Sequence, residues 1–243
     1  MRVYGLTDKG QKRIINEDSF YTAISDDEKT VFGAICDGMG GANGGEVASS
    51  IAVDVMRQKT DSSLNRLRRS QWGKFLREIA TSANRAIYDK SIESISLSGM
   101  GTTFVGVLCN DNKACIANVG DSRAYLINKE EIRQISKDHS LVNELVDKGE
   151  LSLSQASTYP NKNVITRALG VDQNVECDIF DVNVSKGQYI LLCSDGLIED
   201  VSEPEIFFEV VNGDTIENIC KSLIDIANLR GGHDNITIVI VEF

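Results

Sequence analysis

Residues 31–45 read VFGAICDGMGGANGG, and the fold turns on how this stretch is read. The apolar run Val31 to Cys36 has the length and residue types of a buried strand. It stops at Asp37, and glycines follow at 38, 40, 41, 44 and 45 before a helical pattern begins. A glycine-rich turn between strand and helix can cradle a phosphate on backbone N–H groups. The same turn can instead hold one aspartate where a metal ion needs it. GxxxxGK[ST] is absent, and no Lys or Arg follows the glycines before Arg57, which weakens the phosphate cradle.

Working outward, other short apolar or alternating runs are bounded by Gly, Asp or Asn and are expected to be strands. They are MRVYGL, SFYTAI, TTFVGVLC, ACIANV, RAYLIN, EIRQIS, VECDIFDVNV, YILLCS and NITIVIVEF. Apolar residues at helical spacing predict helices over 45–56, 74–95 and 214–228, the last with Asp214 as its N-cap. Each has one apolar face and must cover something. The expected fold is α+β: a central antiparallel β-sandwich flanked by α-helices on both outer faces, in a single domain over 1–243. The stretch from about 137 to 170, with a short helix in SLVNELVDKG, reads as an insertion carried on the surface of that domain.

The chain has 243 residues, 25% of them charged, and a formal net charge of −11. That balance argues against a general nucleic-acid binder, since phosphate backbones are held by Lys and Arg. No run of about 18 apolar residues could span a membrane, and the N-terminal residues have no apolar signal core. Six cysteines form no CxxC pair and lie mostly in apolar runs. Buried free thiols in a reducing cytoplasm are the expectation. Two histidines make a His-rich zinc site a poor fit.

Asp37 is not the only acid at the edge of an apolar element. YILLCSDG ends in Asp195, CIANVGDSR carries Asp121, GGHDNITIVIV places Asp234 before the last run, and RIINEDSF places Asp18 before SFYTAI. Any one of them reads as a turn or cap residue. If they converge, their charges repel unless a cation lies among them. All-oxygen ligands favour Mg²⁺ or Mn²⁺.

The segments TDKGQKRIINED, CDGMGGANGGEVAS, GMGTTFVGV, ANVGDSRAYL, DHSLVNELVDKGEL, NVITRALG, LLCSDGL and GGHDNITIVIVE occur in this order, from Thr7 to Glu242. Together they resemble the bacterial branch of the metal-dependent Ser/Thr protein phosphatases, the PPM or type-2C family. The resemblance implies hydrolysis of phosphoserine and phosphothreonine in proteins by a hydroxide bridging two metal ions. Asp37 would bridge both ions, the Gly38 carbonyl would join the first, and Asp195 and Asp234 would complete the second. Asp18 would hold metal-bound water, Asp121 a weaker third ion, and Arg13 the substrate phosphate. The cofactors implied are two Mn²⁺ or Mg²⁺ ions plus that third. The segment over 137–170 would be the family's flap.

The implied partners are phosphorylated proteins, among them a Ser/Thr protein kinase and its targets, met by a cytoplasmic monomer. A catalytically weak or silent scaffold on the same fold is the alternative, but no metal aspartate is lost here. Met39 and Ala42 stand where relatives carry a His proposed as general acid, so the source of the leaving-group proton is open. His139 and His233 are expected to be structural, the cysteines bystanders, and Arg66, Arg68 and Arg69 are given no role.

Overall fold

Strands that are apolar at consecutive positions must be covered on both faces. The computed structural model, which describes residues 1–40, 44–156, 159 and 164–243, shows what covers them. One sheet contains β1 (Arg2–Asp8), β7 (Arg123–Ile127), β8 (Ile132–Gln134), β10 (Tyr189–Cys193) and β11 (Ile236–Glu242), in the order β1-β11-β10-β7-β8. The other contains β2 (Asp18–Ile24), β3 (Val31–Met39), β5 (Phe104–Asn110), β6 (Lys113–Val119) and β9 (Asp178–Asn183), in the order β2-β3-β5-β6-β9. The short β4 (Gly101–Thr102) pairs with the end of β3. All of these pairings are antiparallel.

Alternation along each strand sorts side chains between an inner and an outer layer. In β3, Val31 and Ile35 face the other sheet, where they meet Val239, Val241, Ile190 and Leu192. Phe32, Ala34 and Cys36 face outward, onto α1 (Gly44–Ser63) and α2 (Trp72–Glu93) through Ala48, Met56, Leu76 and Ile79. In β11, Ile236, Ile238 and Ile240 face outward instead. They meet α5 (Asp195–Asp200), α6 (Glu203–Asn212) and α7 (Ile216–Leu229) through Leu197, Ile206, Ile219 and Leu223. The result is the expected four-layer α-β-β-α sandwich, with a core between the sheets and one under each helical layer.

Four details differ from the sequence-based expectations, the first being that α1 runs on to Ser63 rather than ending at 56. Helix α7 begins one residue later, and its N-cap is Thr215, whose Oγ1 accepts from Asn218 N–H at 3.3 Å. Asp214 accepts from the Thr215 amide at 2.8 Å instead. Helices α5 and α6 were not foreseen. The second carries a readable signal, a capping box between Ser202 and Glu205. In the segment over 137–170, α3 (Leu141–Asp147) is the expected short helix, and α4 (Leu153–Ala156) follows it. Residues 157, 158 and 160–163 lie outside the described residues, as does Ala42.

Candidate active site

Asp37 lies near the end of β3, and Asp18 opens β2 directly opposite it in register. The backbone at Asp37 is pinned by the two threonines of GMGTT. Its N–H donates to Thr103 Oγ1 at 3.0 Å, and its carbonyl accepts from Thr103 N–H and Thr102 Oγ1, both at 2.9 Å. Gly38 is required next to it, because an added Cβ would overlap the Gly45 and Glu17 carbonyl oxygens. Close backbone approach is therefore how glycine brings the N-terminus of α1 onto the strand.

The second sheet supplies the other acids. Asp195 is the first residue of α5, immediately after β10. Asp234 precedes β11, the neighbour of β10. Asp121 lies in the tight turn between β6 and β7. The strand ends bring these residues to one cleft of about 240 Å³, lined by Arg13, Glu17, Asp37, Gly38, Met39, Thr103, Asp121, Ile165, Asp195 and Asp234. The convergence expected of Asp37, Asp121, Asp195 and Asp234 is thus observed, with Arg13 among them. Asp18 is buried beside Asp37, at 6% exposure.

Arg13 arrives on the loop between β1 and β2, and Asn235 welds that loop in place. Its Nδ2 donates to the Lys9 and Ile15 carbonyls at 2.9 and 3.0 Å, and its Oδ1 accepts from Glu17 N–H at 2.8 Å. Arg13 Nη2 contacts Asp234 Oδ2 at 2.5 Å.

These carboxylates lie where protein atoms crowd them although solvent still enters the cleft. Burial pushes Asp18 up to about 7, against hydrogen bonds from Thr237 and Ser194 that favour its charge. Burial, then the charges of Asp195 and Asp138, pushes Asp121 up to about 7. Asp195 rises to about 6, from burial and then from Asp234. Asp37 is raised well above the ordinary carboxylate range by burial and by Asp18, Asp195 and Asp121. Repulsion of this kind is relieved by a divalent cation.

The donor set also fits one. The carboxylates supply hard oxygen donors, and one buried oxygen, Asp18 Oδ1, has no hydrogen-bond partner among the described residues. Among the described residues no three His, Cys, Asp or Glu side chains already stand in the geometry of a metal cage. Asp234, which would have to join such a cage, is instead turned onto Arg13.

Both histidines serve the framework. His139 is buried, and its Nδ1 accepts from Gly120 N–H at 3.0 Å. The backbone donor sets the neutral tautomer, so Nε2–H donates to Asp178 Oδ2 at 3.2 Å. Arg167 Nη1, 3.0 Å from the same Nε2, then meets a donor rather than an acceptor, and its own bond is to Asp178 Oδ1 at 2.9 Å. His233 is exposed, with Nδ1 3.0 Å from Asp200 Oδ1. Sequence reasoning missed Thr102, Thr103, Ser194, Asn235 and Thr237 as supports of the cleft. Each lies within a quoted motif, but small polar residues in or beside strands give no chemical signal until their partners are known.

Two packed antiparallel sheets, helices on both outer faces and a cleft of acids with one arginine define a class of phosphate-handling hydrolases. A family model for protein phosphatase 2C matches residues 8–218. The serine/threonine phosphatase stp of Listeria monocytogenes is 38% identical over 236 residues, covering 97% of this chain and 93% of that protein. Protein phosphatase PhpP of Streptococcus pneumoniae is 36% identical over 244 residues, covering 100% and 97%. The crystal structure of serine/threonine phosphatase Stp1 from Staphylococcus aureus superposes with a TM-score of 0.93 at 36% identity, covering 99% of this chain and 94% of that one. The chain belongs to the protein phosphatase 2C family, the metal-dependent serine/threonine protein phosphatases. No helix among the described residues is long and apolar enough to cross a membrane.

Proposed function

We propose that this cleft hydrolyses phosphoserine and phosphothreonine in proteins with two divalent ions, Mn²⁺ or Mg²⁺, and a weaker third. The observation that carries this reading is the convergence of Asp37, Asp121, Asp195 and Asp234 on one cleft, with Asp37, Asp121 and Asp195 pushed upward and Arg13 at its edge. In this reading Asp37, the Gly38 carbonyl, Asp195 and Asp234 would hold the two principal ions, Asp18 would act on them through water, and Asp121 would serve the third. When bound, the ions neutralise the carboxylates and make water nucleophilic near neutral pH.

The chain's own part is positioning and charge. The pinned Asp37 backbone and the helix-borne Asp195 keep their carboxylates preorganised, so little reorganisation is needed as charge shifts on the phosphoryl group. Arg13 plays two parts in turn. In this structure it pairs with Asp234. With Asp234 among the residues that would hold an ion, the Arg13 guanidinium would be free to take two phosphoryl oxygens. Half of the Arg13 side chain is already exposed to the cleft mouth. The six buried, unpaired cysteines support a reducing cytoplasm as the working compartment, and the chain is read as a single-domain monomer. A Ser/Thr kinase and its substrates are the fitting source of phosphoprotein.

The test is hydrolysis of a phosphothreonine peptide with Mn²⁺, with EDTA, and in the Asp37→Ala and Asp195→Ala proteins. Activity should require metal and both acids. Metal-independent turnover, or full activity in either variant, would overturn the mechanism. Tight metal binding without turnover in the wild type would make the chain a scaffold.

A further inference from the structure

Asp18 is held by a closed ring of hydrogen bonds that no part of the reaction described so far uses. Its own backbone N–H donates to Asn16 Oδ1 at 3.1 Å. Asn16 Nδ2 donates to Thr7 Oγ1 at 2.9 Å. Thr7 Oγ1 and Thr237 Oγ1 lie 2.7 Å apart, and Thr237 Oγ1 donates to Asp18 Oδ2 at 2.6 Å. The directions follow from the chemistry of the groups. A backbone amide can only donate, so it selects the oxygen side of the Asn16 amide and turns the NH₂ toward Thr7. The single hydroxyl proton of Thr237 goes to the carboxylate, so Thr7 must donate to Thr237. Every bond in the ring therefore runs the same way, and each polarises the next.

Ser194 closes the ring from the side. Its Oγ donates to the same Asp18 Oδ2 at 2.8 Å and accepts from Thr237 N–H at 2.9 Å. Two donors thus converge on Oδ2, while Oδ1 is buried with no partner among the described residues. The ring also spans both sheets. Thr7 on β1 faces Thr237 on β11 in register, Ser194 follows β10, and Asp18 opens β2. Chain segments distant in sequence are held together at the end of the intersheet core, where the acids gather.

We infer that Thr237, oriented through Thr7 and Asn16, and Ser194, oriented by the Thr237 amide, are positioning residues that lock one oxygen of Asp18 and leave the other free for the metal-filled cleft. This inference rests on the reading of the cleft as the metal site. Residues that orient a metal-site carboxylate in this way commonly affect metal affinity by 10- to 100-fold.

The experiment uses the full chain. Mn²⁺ binding is measured by titration calorimetry, and kcat and KM are measured on a phosphothreonine peptide. The variants are Thr237→Val, Thr237→Ser, Ser194→Ala and Asp37→Asn, with circular dichroism to confirm folding. Thr237→Val should bind Mn²⁺ about tenfold more weakly, with kcat reduced and KM for the peptide little changed. Thr237→Ser, which restores the hydroxyl, should recover both. Wild-type Mn²⁺ affinity in folded Thr237→Val overturns the inference. If Thr237→Val does not fold, Ser194→Ala decides, because it removes a donor to the same oxygen; weakened binding there supports the inference and wild-type affinity overturns it. Asp37→Asn separates the two levels of argument. Should it bind Mn²⁺ as the wild type does, the reading of the cleft itself fails.

Discussion

Replacing Asn235 by alanine should damage both stability and substrate binding, through one side chain that touches no substrate. Asn235 is 4% exposed and makes three hydrogen bonds to the backbone of the loop carrying Arg13, at 2.8, 2.9 and 3.0 Å. Each buried bond contributes about 1 kcal/mol net, and a buried group left unpaired costs about 1–3 kcal/mol. With three partners orphaned and water reaching the loop from its outer side, the loss should be about 3–4 kcal/mol. Urea unfolding with an unchanged slope measures it. Arg13 is then no longer held in place, and a displacement of about 1 Å at such a group costs on the order of 10²-fold. The loss in kcat/KM should appear largely in KM. Asn235→Asp is the sharper probe, since it keeps an acceptor for the Glu17 amide but turns carboxylate oxygen toward two carbonyls. It should be no better than alanine. A loss below about 1 kcal/mol in Asn235→Ala, or a well-tolerated Asn235→Asp, would refute the reasoning that this side chain sets the loop.

Metal should stabilise the protein more as pH rises. Burial and neighbouring carboxylates push Asp18 and Asp121 up to about 7 and Asp195 up to about 6, against about 3.9 in an unfolded chain. Raised folded values give stability that is full below the unfolded value and lost as pH climbs through 6–7. The gain in Tm on adding Mn²⁺ should therefore grow from pH 5 to pH 8, and calorimetry at pH 6 should register proton release; a pH-independent gain contradicts this. Gly170→Ala should cost about 2–4 kcal/mol in chemical denaturation. Gly170 has φ +88°, and an added Cβ would overlap Ile87 Cγ2 on α2; a neutral variant would mean that α2 and the segment after 164 pack differently. Burial pushes the thiols of Cys115, Cys177, Cys193 and Cys220 up to about 12. All six cysteines are buried, so the native protein should react slowly with a thiol reagent and release six equivalents on unfolding. A rapidly reacting native thiol would show a more open core.

The layer order was legible because VFGAIC, YILLC and ITIVIV are apolar on successive residues, which only a strand covered on both faces can afford. The cleft acids were legible too, since Asp37 and Asp195 follow such a run and Asp234 precedes one. Helix α5 was not, because six residues show too little periodicity to separate a helix from the end of a strand. The start of α7 slipped by one residue because Asp214 and Thr215 can both cap, and only the backbone path selects between them.

By itself the sequence determined which residues had to be buried and where strands end in carboxylates; that only glycine fits after Asp37 follows from the close approach of the Gly45 and Glu17 carbonyls. Only the tertiary structure decided which acids face one another, that Arg13 rests on Asp234, and that Asn235 holds the loop bearing it. It alone revealed the hydrogen-bond ring from Thr7 and Thr237 to Asp18. The physical reason is the range of the forces. Burial is set residue by residue and can be read as pattern. Hydrogen bonds and charge repulsion act over a few ångströms between segments more than 200 residues apart, such as Asp18 and Thr237, and exist only once the sheets have brought them together.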